Sequence, residues 1–136
     1  KVKSIIDLDT IMINTIIYDF GDAIRSSCNT KSENDCDINN INFNLGLYKS
    51  FATGYLKESK DFICKEEQNW LAFAPILVTL EQAIRFFTDY LNSNTYYKVE
   101  FPSQNLDRGL NQIMLAKKML LKEKEMEDYI NSLFQS

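Results

Sequence analysis

Two carboxylates near the start of the chain have the residue type and the spacing of a metal site. Asp7 and Asp9 directly follow the short β-branched run 2–6, which predicts a strand. Carboxylates at the end of a strand can bind a hard cation such as Mg²⁺, which prefers oxygen ligands. The same spacing also suits two side chains that cap a turn. The residues alone therefore leave a metal site and a turn as alternatives.

A second acidic cluster lies at 18–25 and has the sequence YDFGDAIR. Its letters D-F-G match the magnesium-binding motif of protein kinases, but we interpret Asp19 as the N-cap of a helix over 21–28. Aspartate is common at that position because its carboxylate accepts hydrogen bonds from the free N–H groups. Asp22 and Arg25 lie three residues apart and are expected to form an ion pair on that helix.

Further along the chain, charged and aromatic side chains share one helical segment. Glu81, Arg85 and Asp89 are spaced as in an exposed row of ion pairs, and a functional role for Arg85 is the alternative. Five aromatic residues interleave with this row or follow it: Phe86, Phe87, Tyr90, Tyr96 and Tyr97. Such a group is typical of core packing, and stacking on a sugar ring is the alternative.

The composition limits the classes of protein to which the chain can belong. It has 136 residues, 45% of them hydrophobic and 25% charged, which suits one domain with a buried core. Because the net charge is −4 and the lysines at 117–124 are interleaved with glutamates, we expect no nucleic-acid partner. The absence of histidine excludes Ser-His-Asp and Cys-His nucleophiles, and any histidine-ligated metal, within these residues.

Cysteine usage and hydropathy predict a cytoplasmic protein. Cys28, Cys36 and Cys64 match neither a CxxC pair nor a zinc spacing, so we expect free thiols in a reducing compartment. The longest uncharged stretch, 68–80, is shorter than the ~20 apolar residues that span a bilayer, so we expect no membrane association. The chain begins with Lys1 rather than methionine, which we interpret as a processed chain or a part of a longer protein.

The elements that must position these residues are mainly helical. Periodicity predicts a strand at 2–6, helices at 21–28, 45–60, 65–92 and 105–133, a polar loop at 29–44 and a structured loop at 93–105. Pro75 should kink the helix 65–92 or split it in two. The residues expected on the buried side of that helix are Trp70, Phe73, Leu77, Leu80, Ile84, Phe87 and Leu91. The lone strand needs a partner, which we expect upstream or on another copy.

Several of these motifs together resemble a known family. The segments 5–10 (IIDLDT), 18–25 (YDFGDAIR), 85–92 (RFFTDYLN), 97–98 (YK) and 105–108 (NLDR), with the helix holding Gln112, Leu115 and Ala116, resemble the aminoglycoside-phosphotransferase-like kinases. Within that family the chain is most similar to the N-acetylhexosamine 1-kinase branch, often labelled "mucin desulfatase". The resemblance covers nearly the whole chain. It implies the helical C-terminal part of a protein-kinase-like α+β fold, mainly α with a short N-terminal strand.

The resemblance also implies roles for individual residues. Asp7 corresponds to the metal-binding aspartate of the family, and Asp9 to the second acidic position of the same motif. Asp19 corresponds to an aspartate that steadies the catalytic loop by hydrogen bonding, and Asp22 is expected to support the site beside it. Arg25 and Arg85 match positions that face the sugar. The implied cofactor is Mg²⁺, with ATP as the co-substrate.

Essential parts of such a kinase are expected to lie outside the chain. The catalytic loop of the family, HGD followed by a downstream Asn, precedes the strand that ends in Asp7, and so does the nucleotide-binding lobe. We therefore expect no catalytic residue here and no activity of the isolated chain. Its parent would transfer the γ-phosphoryl group of ATP to a hydroxyl of an N-acetylhexosamine. Within one domain, 1–136, we expect a metal-loop segment at 1–28, the polar loop at 29–44 and a helical subdomain at 45–136.

A function of a different class is the alternative. The chain can also be interpreted as a stand-alone helical interaction module without catalytic activity. Without the other lobe, a large apolar surface would be exposed, and such a surface favours self-association.

Overall fold

The computed structural model describes Ser4 and residues 13–135, and this part of the chain is mainly helical. Six α-helices and two short 3₁₀ turns account for its regular elements, apart from one isolated bridge between Asn29 and Phe43. The α-helices are α1 (Ile16–Ser27), α2 (Leu45–Ser59), α3 (Lys65–Trp70), α4 (Ala74–Leu91), α5 (Gln104–Leu120) and α6 (Glu123–Gln135). The 3₁₀ turns are Ile38–Asn40 and Lys60–Phe62. The predicted mainly α class is confirmed, and the strand predicted at 2–6 lies outside the described residues.

Helix α1 begins five residues earlier than the sequence predicted, at Ile16, so the assignment of Asp19 as its N-cap is wrong. Thr15 is the N-cap, and Asp19 lies in the first turn. The side chain of Glu67, in α3, accepts hydrogen bonds from Thr15 Oγ1 at 2.8 Å and from the Ile16 N–H at 3.2 Å. A distant carboxylate therefore satisfies the free N–H group that a local aspartate was expected to satisfy.

Pro75 divides the long predicted helix, as expected. Helix α3 ends at Trp70, and α4 begins at Ala74 with the proline in its first turn, where a missing N–H costs nothing. The predicted buried side of this segment is wrong. Trp70, Leu77, Ile84 and Leu91 are exposed, Phe73, Leu80 and Phe87 are half-buried, and the buried apolar residues of α4 include Ile76, Val78, Ala83 and Phe86.

The contact between α1 and α4 explains why α4 buries that other side. Gly21 lies so close to α4 that an added Cβ would come within 2.8 Å of Val78 Cγ2 and 2.9 Å of the Ala74 carbonyl oxygen. The missing side chain lets the two backbones approach, and the face of α4 that carries Ala74 and Val78 is buried as a result. Helix α4 has apolar residues on both faces, so periodicity alone could not select the correct one.

The single helix predicted over 105–133 is two helices. Helix α5 ends at Leu120, and α6 begins at Glu123 and packs against α2. The break has a physical reason, because it folds Met126 and Ile130 back into the core instead of letting them extend beyond it. The charged segment around it is solvated as predicted, with exposed pairs such as Lys122–Glu125 at 2.7 Å.

A buried apolar cluster lies among α1, α2, α6 and the C-terminal part of α5. It contains Phe20, Ile24, Tyr48, Leu56, Leu115, Met119, Met126 and Ile130, among others. The predicted helix over 45–60 is confirmed as α2, with Tyr48 and Ala52 on its buried side. None of the helices in the described part of the chain is both long and apolar enough to cross a membrane.

Candidate functional site

Four of the predicted site residues line one cleft between α1 and α4. Asp19, Asp22 and Arg25 lie on α1, and Arg85 faces them from α4. The cleft has a volume of about 300 Å³, and its remaining walls are Tyr18, Val78, Glu81 and Gln82. The two metal-site residues predicted from the sequence, Asp7 and Asp9, lie outside the described residues.

Arg25 connects three parts of the molecule at the floor of this cleft. Its Nε donates to Asp22 at 2.7 Å, which confirms the predicted pair, and its Nη1 donates to Glu33 at 2.8 Å. A longer contact of 3.4 Å reaches Gln112 on α5. Burial alone would lower the pKa of Arg25, but hydrogen bonds and charge from Asp22 and then from Glu33 outweigh it and raise that pKa. Arg25 is therefore already paired with two carboxylates, and its charge is neutralised within the chain.

Arg85, in contrast, has no ion-pair partner among the described residues. Its side chain is exposed, and its guanidinium carbon lies 6.0 Å from the ring centre of Tyr96 and 5.9 Å from that of Tyr97. An arginine above an aromatic ring is a favourable arrangement that leaves the N–H groups free to donate. Within residues 13–135, Arg85 therefore presents a free cation to both the cleft and the cavity beside it.

The exposed row of ion pairs, one of the two interpretations of Glu81, Arg85 and Asp89, does not form, because Asp89 is buried. Its carboxylate accepts hydrogen bonds from the N–H groups of Tyr96 at 2.8 Å and Tyr97 at 2.9 Å, and from Asn105 Nδ2 at 2.8 Å. Burial alone would raise the pKa of Asp89, but the hydrogen bonds, chiefly from the Tyr97 and Tyr96 N–H groups, outweigh it and lower that pKa. Asp89 therefore fixes the loop that carries the two tyrosines.

The sequence interpretation missed this role of Asp89 because it placed Phe87, and not Phe86, on the buried side of α4. Asp89 lies three residues after Phe86, so it shares the buried side of α4, where an unpaired charge would be costly. Such a carboxylate requires donors, and the loop that follows α4 supplies them. A second side chain also holds this loop: Asn94, with a φ of 57°, donates through Nδ2 to the Pro102 carbonyl oxygen at 2.9 Å.

A second cavity, of about 340 Å³, opens between α4 and this loop. We call it the Arg85 cavity; its lining is Ile84, Arg85, Thr88, Asp89, Asn92, Thr95, Tyr96 and Tyr97. Core packing, one of the two interpretations of the aromatic group, holds for Phe86 and does not hold for Tyr96. Phe86 is buried and packs against Tyr97, with ring centres 4.8 Å apart, whereas Tyr96 is 75% exposed at the cavity wall. Core packing therefore accounts for Phe86 and leaves the face of Tyr96 accessible.

The polar loop 29–44 is fixed by side chains of α5 to which sequence reasoning assigned no such role. Asn111 Nδ2 donates to the carbonyl oxygens of Ser32 at 3.0 Å and Asp35 at 3.1 Å, and Asn111 Oδ1 accepts from Asn29 Nδ2 at 3.1 Å. Arg108 Nε donates to Asn34 Oδ1 at 2.7 Å. Because Glu33 belongs to this loop, these contacts also hold the partner of Arg25 in place.

The described residues offer polar recognition rather than a metal centre. Nowhere in residues 13–135 do three or more Asp, Glu, Cys or His side chains come together in a way that could hold a metal ion. The Arg85 cavity offers one free guanidinium, an exposed tyrosine ring and the hydroxyl and amide groups of Thr88 and Asn92, whereas the cleft adds the carboxylates of Asp19, Asp22 and Glu81. The groups of the Arg85 cavity suit a small, hydroxylated ligand. A comparison of the sequence with models of known protein families finds no match.

Proposed function

We propose that the chain is the helical, substrate-binding part of a Mg²⁺-dependent kinase that phosphorylates a hydroxyl of an N-acetylhexosamine with ATP. The proposal extends the resemblance to the aminoglycoside-phosphotransferase-like kinases, and with it the kinase-like fold. One observation carries it: Asp19, Asp22 and Arg25 belong to one motif of that resemblance and Arg85 to another, and all four line one cleft.

The Arg85 cavity has the chemistry that an amino sugar requires. The apolar face of a sugar ring packs on an aromatic ring, and Tyr96 exposes one. The hydroxyl and acetamido groups need donors and acceptors, which Arg85, Thr88 and Asn92 supply. A volume of about 340 Å³ lies at the lower end of the usual range for small-molecule sites, ~300–1,000 Å³, and suits a single sugar ring.

In this proposal the remaining machinery lies elsewhere. Asp7 and Asp9 would hold Mg²⁺, which in phosphoryl transfer neutralises charge on the phosphate oxygens. The aspartate that accepts the proton of the sugar hydroxyl would belong to a catalytic loop upstream. Arg25, with both carboxylate partners in place, holds the floor of the cleft, and Arg85 orients the sugar.

Ligand binding by the isolated chain tests the proposal directly. Saturation-transfer NMR with N-acetylglucosamine and N-acetylgalactosamine should show contacts from the ring protons, and Arg85→Ala and Tyr96→Ala should each weaken them. Lys124→Ala, which changes an exposed lysine on α6, is the matched control and should leave them unchanged. Equal signals from all four proteins, or none from the wild type, would contradict a sugar site at Arg85.

The nucleotide-binding lobe, which this proposal places outside the chain, provides a second test. Calorimetric titration of the 136-residue chain with Mg²⁺-ATP should show no saturable binding, because the nucleotide clamp is expected outside it. The open reading frame before Lys1 should encode an HGD segment followed by a downstream Asn. A start codon immediately before Lys1 would overturn the kinase proposal.

The second candidate, a helical interaction module without catalytic activity, is favoured by the exposed apolar residues of α4. Leu77, Ile84 and Leu91 are 40%, 64% and 79% exposed. Either function fits a cytoplasmic location, which we also propose. Cys28, Cys36 and Cys64 are all free thiols, as expected of a protein in a reducing compartment.

A further inference from the structure

The outer face of α4 carries a regular apolar row that nothing in the described chain covers. Leu77, Ile84 and Leu91 are exposed and follow one another at intervals of seven residues. Seven residues fall about 20° short of two helical turns, so these side chains lie almost on one line along the helix. Glu81 and Thr88 lie between them on the same face and are also exposed. We call these five residues the α4 ridge.

Two opposite charges flank the centre of the ridge without an ion-pair partner. Viewed down the helix axis, Glu81 and Arg85 both lie to the same side of Ile84. They are four residues apart in the sequence, and both are exposed. Among the described residues neither is within ion-pair distance of an opposite charge; the five ion pairs of that part of the chain involve other side chains. The ridge, together with Arg85 beside it, therefore combines an apolar row with one free anion and one free cation.

The apolar row is symmetric around Ile84, so two copies of it can pack against each other. Leu77 and Leu91 lie at equal distances before and after Ile84, ~10.5 Å each along the axis. In an antiparallel pair of α4 helices related by a two-fold axis at Ile84, Leu77 therefore meets Leu91 of the second copy. Such a pair is closed and isologous, as most homodimers are.

The charges obey the same symmetry. Glu81 lies ~4.5 Å before Ile84 along the helix and Arg85 ~1.5 Å after it. The two-fold rotation keeps both charges on the same side of the helix pair but reverses their order along the helices. Arg85 of one copy and Glu81 of the other therefore differ by only ~3 Å in position along the helix axis. Two reciprocal ion pairs result. We propose that the α4 ridge is a homodimer interface in which a second copy of this chain binds antiparallel, centred on Ile84.

The argument for this pairing uses only the ridge and Arg85 and does not rest on the proposed sugar site. One helix pair buries less than the standard interface of about 1,200–2,000 Å², so the dimer is weak and depends on protein concentration. Ile84 and Arg85 also line the Arg85 cavity. A second copy on the ridge therefore occupies the mouth of that cavity, and pairing and ligand binding exclude each other.

Sedimentation equilibrium of the 136-residue chain over a wide concentration range tests the pairing. The wild type should pass from monomer to dimer as its concentration rises, and Ile84→Glu should weaken the dimer by at least about tenfold, because it places two carboxylates at the two-fold axis. Leu121→Glu is the matched control: Leu121 is 78% exposed but lies between α5 and α6, so dimerisation should not change. Circular dichroism should show the same helix content in all three proteins.

A charge exchange distinguishes this geometry from nonspecific apolar association. Glu81→Arg and Arg85→Glu should each weaken the dimer by about fivefold, since each places like charges opposite one another. The double variant restores opposite charges and should recover wild-type affinity. A wild type that stays monomeric at every concentration, an unaffected Ile84→Glu variant, or a double variant no tighter than the single ones would overturn the proposal.

Discussion

The interior differs in kind between two regions of the molecule. Among α1, α2 and α6 the buried side chains are mostly apolar, with Phe20, Tyr48 and Met126 fully enclosed. Where α5 meets the polar loop 29–44, they are amides such as Asn111 and Gln112. Apolar burial is favourable in any orientation, whereas a buried amide is tolerated only where each partner is correctly placed. The apolar region therefore supplies stability, and the polar region fixes the geometry around Arg25.

The strongest test of this division removes a ring from the apolar region. Phe20 is fully buried, and its ring centre lies 5.2 Å from that of Tyr55 and 6.0 Å from that of Phe51. Phe20→Ala should reduce the free energy of unfolding by about 3–5 kcal/mol, because it loses both transfer energy and packing. Urea denaturation followed by circular dichroism measures it. Phe62→Ala, at a site 69% exposed, should change stability by less than about 0.5 kcal/mol.

A matching change in the polar region should reduce the free energy of unfolding by less, but should increase hydrogen exchange in the neighbouring loop. Asn111→Ala removes two donated hydrogen bonds and one accepted bond that hold the loop. We expect a loss of about 2 kcal/mol, with faster hydrogen exchange concentrated in residues 29–44. Asn39→Ala, in the exposed turn of the same loop, should do neither. Exchange that rises equally across the molecule would show that the loop is not a separate, amide-held unit.

The same division explains which features could be predicted from the sequence. Helix α2 was predicted closely because one regular apolar face suffices to define it. The buried face of α4 was not, because apolar residues lie on both sides and the close approach of Gly21 selects one of them. The start of α1 was missed because Glu67, the carboxylate that accepts from the Ile16 N–H, lies 51 residues away from Ile16. Local patterns contain no information about a partner that only the fold brings near.

The candidate site shows the same limit. Asp22 and Arg25 were paired correctly because their contact is local, three residues apart on one helix. Glu33 and Gln112, which complete the surroundings of Arg25, come from the loop and from α5, the latter 87 residues away in sequence. Asp89 was expected in a solvated row, yet it is buried because loop N–H groups satisfy it.

A third prediction concerns a polar atom inside the apolar region. The Tyr48 hydroxyl is buried and has no hydrogen-bond partner among the described residues, and burial raises its pKa well above the ordinary value. Tyr48→Phe should therefore stabilise the protein by about 1 kcal/mol, since it removes an unsatisfied group and keeps the ring. The urea midpoint should rise with an unchanged slope. A lower midpoint would show that the hydroxyl is hydrogen-bonded in solution.

The smallest effect on stability is expected for Glu67, the carboxylate that accepts hydrogen bonds at the start of α1. Hydrogen bonds from the Thr15 hydroxyl, and then from the Ile16 N–H, lower the pKa of Glu67 below its ordinary value of 4.5. Because the folded-state pKa is the lower one, the ionised group stabilises the protein above pH ~4.5, and this contribution is lost as the pH falls through the folded-state value. Glu67→Gln should remove it.

Thermal melts of the wild type and Glu67→Gln between neutral and acidic pH measure that contribution. The wild type should be the more stable at neutral pH, and the two melting temperatures should converge as the pH falls. Glu66→Gln, at the neighbouring exposed position, is the control and should follow the wild type. The acid sensitivity shared by all three proteins then includes Asp89, whose pKa is also lowered. A constant difference at every pH would mean that Glu67 acts through packing and not through its charge.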